Sequence, residues 1–309
     1  MENRYLVDVP WLQAHLDDPQ VVVVDTRFTL SAPDAGRHEY LAGHIPSAYY
    51  LDLNQDLSSP ALQHGGRHPL PDWAIFTDKL NQLGICSEPP QGPTKVVIYD
   101  DSRFAFAARL WWMLRYLGHD QVAILDGGIR AWKSAGLPLS KVLPKDRTGD
   151  FRSNFQSGWL VDIKAVRQQA DLPSDLPSDS PSDLPSDLPS DLPSDLTSDL
   201  TSGVVIDSRA PERWRGEVEP IDPIAGSVPG SLNSFWKDAS TAEGKLKSLE
   251  ALASHWKHYT LTPDTVVYCG SGVTACVNLF SLVVAGYPMC RLYPGGWSDW
   301  CSYLTAEET

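Results

Sequence analysis

The sequence predicts an α/β protein of two tandem domains, each a mainly parallel sheet with helices on both faces. Short continuous apolar runs, such as VVVVD at 21–25 and VVIY at 96–99, alternate with helix-compatible stretches. This alternation is typical of buried parallel strands. Three stretches of the first half recur in the same order in the second half. A length of 309 residues also exceeds what one core usually supports.

The duplication is visible in three pairs of segments, at 6–27 and 160–209, at 39–53 and 224–236, and at 95–132 and 265–300. In each copy a helix precedes a Val-rich strand that ends in Asp-Thr-Arg or Asp-Ser-Arg. A loop with a helical segment, an apolar strand, a helix and a third strand follow. We expect domains at 1–142 and 158–309, joined by a polar linker at 143–157.

Residues 171–202 are a low-complexity insert of eight tetrads, DLPS five times, DSPS once and DLTS twice. Proline at nearly every fourth residue forbids a helix, and aspartate at every fourth residue repels its neighbours. The insert falls between the first helix of the second domain (about 162–170) and its first strand (204–207). It is either an acidic docking tether or, as we favour, a tolerated expansion of a surface loop.

Charge and cysteine content restrict the function class. The net charge of −14 argues against a nucleic-acid-binding protein, although eight of the negative charges belong to the insert. No apolar run approaches the ~20 residues of a membrane span, and MENRYLVDVPW has no export-signal pattern. The cysteines are an odd, sparse set without paired metal spacing, which predicts free thiols in the cytoplasm and no metal site: Cys86, Cys269, Cys276, Cys290 and Cys301.

The strongest functional signal is VVYCGSGVTACVNLF at 266–280. An apolar strand ends at Cys269, the chain turns through Gly270 and Gly272, and a helix-compatible run begins at Val273. Glycines bring backbone N–H groups close to a bound atom, and a helix N-terminus adds its dipole. Both effects favour the thiolate, which is the nucleophile. A buried cysteine is often only packing, but the carboxyl end of a strand is where α/β sheets place their sites.

The first copy has a carboxylate where the second has the cysteine. Cys269 falls opposite Asp100 or Asp101, depending on where a one-residue gap is placed. A carboxylate cannot act as a sulfur nucleophile and repels an anionic substrate. We therefore expect the first domain to be a structural partner of the second.

With these residues in view, the chain resembles the two-domain rhodanese-like sulfurtransferases over essentially its full length. The matching motifs are CGSGVTA at 269–275, DSRAPERWRG at 207–216, GHIPSA at 43–48, ARLWWMLRYLGH at 108–119 and the two GG-x-x-x-W endings at 127–132 and 295–300. The loop CGSGVTA has the form of the 3-mercaptopyruvate type, whereas thiosulfate sulfurtransferases typically carry Arg-Lys in place of Gly270-Ser271.

The resemblance implies covalent catalysis without a metal or organic cofactor. Cys269 takes sulfur from 3-mercaptopyruvate as a persulfide and passes it to a thiol, such as a small thiol or a thioredoxin-like protein, or to cyanide. The loop amides of Gly270, Ser271, Gly272, Val273, Thr274 and Ala275 would hold the terminal sulfur. Phosphatases of this fold use Cys-x5-Arg, and since Ala275 stands at that arginine position, phosphatase activity is not expected.

The substrate carboxylate needs a cation. Arg213 in ERWRG matches the substrate-binding arginine of the family, and Arg215 is a second candidate. Either arginine could instead form a surface or interdomain salt bridge. Mercaptopyruvate enzymes often carry another arginine nine residues after the first, but here that residue is Asp222. This departure leaves thiosulfate as the alternative donor. A non-catalytic scaffold or sulfur-carrier-binding protein is the alternative from another class.

A Ser–His–Asp relay of the family would map to Ser271, His44 and an upstream acid, of which Asp34 is nearest. His44 could equally be a structural histidine, and only spacing selects Asp34. The matching residue of the second copy is Ser227, so the fold alone does not require His44. The remaining side chains near the loop are expected to pack or to seal the site: Cys276, Trp297 and Trp300.

Overall fold

The computed structural model describes residues 4–88, 92–170 and 203–304. These residues form two compact units, and each unit is built on one parallel sheet. The predicted α/β class with two tandem domains is confirmed. The insert predicted at 171–202 lies outside the described residues.

The first unit carries a five-stranded sheet made of β1 (Leu6–Val7), β2 (Val21–Asp25), β3 (Tyr49–Tyr50), β4 (Lys95–Tyr99) and β5 (Val122–Leu125). The strand order is β1-β5-β4-β2-β3, and all pairs are parallel. Every residue of β2 and β5 is buried, which means that both faces of the sheet are covered. Its helices are α1 (Val9–Ala14), α2 (Ala35–Ala42), α3 (Trp73–Gln82), α4 (Ala107–Tyr116) and α5 (Gly128–Ser134).

The second unit repeats this plan with β6 (Val205–Asp207), β7 (Leu232–Asn233), β8 (Val266–Tyr268) and β9 (Arg291–Leu292). These strands lie in the parallel order β7-β6-β8-β9, so β8 is an inner strand. The helices of this half of the chain are α6 (Ile163–Gln169), α7 (Pro211–Trp214), α8 (Leu249–Trp256), α9 (Ala275–Val284) and α10 (Gly296–Trp300). Short 3-10 turns occupy Ser157–Trp159, Trp236–Ala239 and Cys301–Tyr303.

The duplication extends to single hydrogen bonds. Arg27 donates through Nη2 to Asp25 Oδ2 over 2.6 Å and to a glycine carbonyl over 2.9 Å. Arg209 makes the same pair of bonds, over 2.6 Å to Asp207 Oδ2 and 2.6 Å to a glycine carbonyl. Each carboxylate also accepts the backbone N–H of its arginine. Both Asp-x-Arg endings therefore fix the loop that leaves the first strand of the copy by a fully hydrogen-bonded, buried ion pair.

The two units are not simple halves of the sequence. The first contains residues 1–59, 70–156 and 237–249, and the second contains 60–69, 157–236 and 250–309. Each half of the chain therefore contributes one short segment to the unit built by the other half. The predicted boundaries of 1–142 and 158–309 do not include this exchange.

Helices α4 and α9 anchor the loops that precede them. All ten residues of α4 are buried, as are nine of the ten residues of α9. Because a helix buried on nearly all sides cannot rotate without disturbing its packing, the chain entering each helix is held in place. Within the described ranges, no helix is both long and apolar enough to cross a membrane.

Candidate active site

Cys269 lies at the carboxyl end of β8, directly after Tyr268, and is only 2% exposed. Tyr268 pairs with Asp207 across the sheet. The cysteine therefore stands beside the loop that carries the buried Asp207–Arg209 pair. This is the position predicted for the nucleophile, at the edge where the parallel strands end.

The first turn of α10 holds the cysteine loop in place. The N–H of Trp297 donates to the carbonyl of Cys269 over 2.8 Å, and the N–H of Ser298 donates to that of Gly270 over 2.9 Å. Gly296 has φ +61°, and a Cβ placed on it would lie 2.5 Å from the Cys269 carbonyl oxygen. Only glycine permits this approach of two backbones. The GG-x-x-x-W motif thus fixes the loop conformation.

The first unit shows what this loop geometry can bind. Asp100 follows Tyr99 as Cys269 follows Tyr268, and Tyr99 pairs with Asp25 as Tyr268 pairs with Asp207. The residue opposite the cysteine is therefore Asp100 and not Asp101.

The carboxylate of Asp100 accepts four backbone N–H groups from the loop that leads into α4. Their donors lie at 2.9–3.2 Å and belong to Ser102, Phe104, Phe106 and Ala107. Burial raises the pKa of Asp100, and the amide hydrogen bonds oppose that rise. The loop is thus an anion cradle, and in this unit the side chain at the strand end fills it.

The corresponding loop of the second unit has unpaired donors. It is one residue shorter, because α9 begins at Ala275 and α4 at Ala107. In the described part of the chain, no acceptor pairs with the N–H groups of Ser271, Val273, Thr274 or Ala275. A thiol is a weak acceptor, so Cys269 does not fill its cradle as Asp100 does.

Ser271 is paired with a histidine that the sequence analysis did not select. Its Oγ lies 2.8 Å from Nδ1 of His68, and both side chains are buried. His68 belongs to segment 60–69, which lies in the second unit. The histidine that contacts Ser271 is therefore His68, whereas the sequence analysis selected His44, and a relay through Ser271 stays a prediction.

His44 instead has structural contacts in the first unit. Its Nδ1 lies 2.8 Å from the carbonyl of Tyr40 and its Nε2 lies 3.2 Å from that of Val142, while the ring stacks on Tyr40. Asp34 precedes α2 and makes no side-chain capping bond. These contacts of His44, and the position of Asp34, lie within the first unit, and the part of both residues in a relay stays a prediction.

Arg213 lies in a buried network of charges beside the cysteine loop. Its guanidinium donates to Glu219 Oε1 over 2.6 Å and to Asp222 Oδ2 over 3.2 Å. Glu219 also accepts from Arg209 over 3.1 Å. Burial would raise the pKa of Glu219, but hydrogen bonds from Arg213 and from two backbone amides outweigh it and hold that pKa below its usual value. Glu219 therefore stays ionised and fixes the orientation of Arg213.

The other predicted cation lies elsewhere. Arg215 is about half exposed and pairs with Glu217 over 2.7 Å, so it forms the surface salt bridge that was the alternative prediction. A different arginine, Arg67, contacts the network through an ion pair with Asp222. The only sequence signal for Arg67 and His68 was the cluster HGGRH at 64–68, which has no counterpart in the second copy.

The side chains expected to pack do so. Cys276 is buried with its thiol 3.3 Å from the Gly272 carbonyl. Trp297 and Trp300 are core residues of the second unit, and Trp297 Nε1 donates to the Ile224 carbonyl over 2.7 Å. Cys301 is also buried, and burial raises its pKa to about 11.

The chain is similar in sequence to known proteins. The model of the Rhodanese-like domain matches residues 8–135 and 192–303. A probable 3-mercaptopyruvate sulfurtransferase of Pseudomonas aeruginosa is 38% identical over 97% of this chain and 96% of its own length. A putative thiosulfate sulfurtransferase of Mycobacterium tuberculosis, SseB, is 34% identical over 92% of this chain and 89% of its own.

A solved structure agrees with the sequence relatives. The crystal structure of SseA from Escherichia coli, reported for the fold and mechanism of 3-mercaptopyruvate sulfotransferases, aligns with a TM-score of 0.71 at 28% identity. The alignment covers 95% of this chain and 99% of that one. One family match falls on each copy of the duplication, and the second match contains Cys269.

Proposed function

This chain belongs to the rhodanese-like family and is a sulfurtransferase, and on that premise we propose that Cys269 takes its sulfur from 3-mercaptopyruvate. The observation that supports this most strongly is the arrangement around one sulfur. Cys269 ends an inner strand, its loop carries unpaired N–H groups, and the Ser271–His68 pair and Arg213 lie beside it. We assign it no metal and no organic cofactor.

In the first half-reaction the Cys269 thiolate attacks the sulfur of the donor. The carbon–sulfur bond of 3-mercaptopyruvate breaks, and its electron pair passes to the carbon, which becomes the enolate of pyruvate and takes up a proton. The product on the enzyme is Cys269–S–S⁻. No outside oxidant or reductant is needed, because the carbon is reduced from CH₂–S to CH₃ while the sulfur is oxidised to the sulfane level, and the thiol proton of the donor balances the proton that the enolate takes up.

The loop amides of Ser271, Val273, Thr274 and Ala275 would stabilise the terminal sulfur. Support comes from the first unit, where the equivalent loop turns four N–H groups onto the Asp100 carboxylate. Fixed donors of this kind each contribute about 2.7–4 kcal/mol to a developing anion in acyl-transfer enzymes. The outer sulfur replaces the carboxylate as the anion in the cradle.

Ser271 would act on the ketone oxygen of the donor. With His68 Nδ1 protonated and donating to Ser271 Oγ, the hydroxyl hydrogen is directed to the substrate. Negative charge grows on that oxygen as the enolate forms, so the hydrogen bond strengthens during the reaction. Arg213 would bind the donor carboxylate through a charge-assisted hydrogen bond from Nη1, because its Nε and Nη2 already donate to Glu219 and Asp222.

Intact mass measures the central step. After incubation with 3-mercaptopyruvate and removal of excess donor, the chain should gain the mass of one sulfur, and Cys269→Ser should gain none. Absence of that gain in the unmodified chain overturns the proposed mechanism. Cysteine 86 provides a matched control, since Cys86→Ser alters a half-buried thiol of the first unit and should keep the gain.

Thiosulfate is the second candidate donor. It is supported by Asp222, a carboxylate bonded to Arg213 where related mercaptopyruvate enzymes often carry an arginine. Steady-state turnover with cyanide as acceptor, compared by kcat/KM for the two donors, distinguishes them. A higher kcat/KM for thiosulfate would reverse our assignment.

The acceptor is a small molecule or protein thiol, and we favour a small thiol or a thioredoxin-like protein in the cytoplasm. All five cysteines are free, as expected in a reducing compartment. The acidic insert at 171–202 tests the scaffold alternative: its deletion should leave turnover and acceptor use unchanged. Loss of acceptor transfer with intact persulfide formation would make the insert a docking element.

A further inference from the structure

Arg67 is held firmly at the mouth of the cysteine loop. In the segment 60–69, His64 Nδ1 lies 2.7 Å from Ser302 Oγ, and the His64 ring stacks on Tyr303. The N–H of Gly65 donates to an aspartate carboxylate over 2.7 Å. On its other side Arg67 is followed by His68, which is bound to Ser271. The arginine therefore stands between two anchored residues.

Two guanidinium groups flank the same point of the loop. A Cβ built on Gly270 would lie 2.9 Å from Nη2 of Arg67 and 3.7–3.8 Å from the two Nη atoms of Arg213. A Cβ at position 270 would thus crowd the guanidinium of Arg67 and would be in van der Waals contact with that of Arg213. The glycine leaves open the space that the two cations face, next to the reacting sulfur.

Asp222 joins these arginines from behind. Its Oδ2 accepts from Nη2 of Arg213 over 3.2 Å, and its Oδ1 is bonded to Nη1 of Arg67. Its own backbone N–H donates to Glu219 over 3.1 Å, so the aspartate is itself fixed. Within the described residues, Nη2 of Arg67 and Nη1 of Arg213 have no hydrogen-bond partner. These two nitrogens therefore remain available as hydrogen-bond donors near Gly270.

We propose that Arg67 is the second cation for the donor carboxylate and that Asp222 is the positioning residue that holds it there. The proposal rests on the function proposed above. Where mercaptopyruvate enzymes often carry the second arginine, this chain has an aspartate, and that aspartate brings in an arginine from segment 60–69. The charge arrangement at the donor site is restored from a different part of the chain.

The hydrogen-bond partners of the three carboxylates in this network support the assignment. The arginines of the network, Arg67, Arg209 and Arg213, are matched by three carboxylates, those of Asp207, Glu219 and Asp222. Glu219 and Asp207 accept several bonds each and serve the fold. Among the described residues, the carboxylate of Asp222 forms hydrogen bonds with guanidinium groups alone, those of Arg67 and Arg213. Its function in this network is therefore to orient the two arginines.

The decisive experiment is single-turnover persulfide formation, followed by intact mass against donor concentration. In R67A we expect the half-saturating 3-mercaptopyruvate concentration to rise about 10–100-fold, as for loss of one charge-assisted fork. The maximal extent of persulfide formation should persist. R67A/D222R, which returns an arginine to position 222, should recover most of the loss. R152A removes an exposed arginine paired with Asp150 and should match the unmodified chain.

Other outcomes overturn the proposal. If R67A saturates like R152A, Arg67 does not bind the donor. If D222N binds 3-mercaptopyruvate more tightly than the unmodified chain, Asp222 competes with the donor instead of positioning Arg67. R67Q, which keeps the side-chain stem, gives the same comparison if R67A fails to fold, as judged by thermal unfolding. Lack of any persulfide in the unmodified chain would instead refute the proposed function, so the two failures are distinct.

Discussion

Alanine substitution of His68 should lower the reaction rate, whereas alanine substitution of His44 should lower the stability. His68 contacts Ser271 over 2.8 Å, and both side chains are buried. His44 is fully buried in the first unit, stacks on Tyr40 with 4.2 Å between ring centroids, and contacts two carbonyls. We expect H68A to lose activity and H44A to lose stability.

The size of each effect follows from these contacts. Hydrogen bonds that involve a charged partner contribute about 1.5–3 kcal/mol, and charge develops on the donor oxygen during cleavage. H68A should therefore lower kcat/KM about 10–150-fold. H44A removes a packed ring and its hydrogen bonds, at a cost of about 2–4 kcal/mol. For a unit of this size, each kcal/mol lowers Tm by about 2–4 °C.

The assay compares initial rates with 3-mercaptopyruvate and thermal unfolding followed by circular dichroism on the same preparations. Rates are normalised to the fraction of chain that forms a persulfide. His258→Ala, an exposed histidine of the second half of the chain, is the matched control and should change neither quantity. The assignment is wrong if H68A keeps its rate within threefold, or if H44A loses 100-fold in rate at an unchanged Tm.

Three further predictions concern the loops and the thiols. Gly296→Ala should lower the free energy of unfolding in urea by about 2–4 kcal/mol and remove most of the activity, because its Cβ would enter the backbone of the cysteine loop. The control Gly286→Ala, at a glycine with φ +88° but nothing within 4 Å, should cost only about 1 kcal/mol. Equal losses in the two variants would contradict this account. Asp100→Asn should lower the free energy of unfolding by about 2–6 kcal/mol, since an amide NH₂ cannot accept the loop N–H groups. The persulfide should still form on this variant. Unchanged stability would argue against the anion cradle of the first unit. Burial raises the pKa of Cys290 to about 12 and that of Cys301 to about 11. Iodoacetamide at pH 8 should therefore leave both thiols unlabelled in peptide maps. Labelling of either cysteine at that pH would show that it is an accessible thiolate.

Local patterns predicted the fold and the position of Cys269 at the carboxyl end of a strand. The two Asp-x-Arg endings and the Gly-x-Gly turn after an apolar strand each carry their information within a few residues. Such features place Cys269 and Ser271 from the sequence, and motif context places Arg213. The strand register then identifies Asp100, where sequence alignment alone leaves a one-residue ambiguity.

Long-range pairing could not be predicted in this way. His68 and Ser271 are separated by 203 positions, and segment 60–69 has no equivalent in the second copy that would show its partner. Spacing alone favoured His44 and Asp34, whose neighbours are residues of the first unit. The two arginines of the ERWRG motif differ because residues two positions apart lie on opposite sides of the short α7 turn. Arg215 is therefore exposed to solvent, where it pairs with Glu217.

The exchanged segments have a consequence for synthesis of the chain on the ribosome. The first unit lacks residues 237–249 until they emerge, and the second needs the much earlier residues 60–69 to complete its reacting centre. At translation rates of about 5–20 residues per second, the five strands of the first sheet emerge well before 237–249, and the first unit would stay incomplete for roughly 5–20 s. During that interval the segment with Arg67 and His68 waits in solvent without its partners. The first unit is therefore completed only by chain from the second half, and the second unit only by chain from the first half.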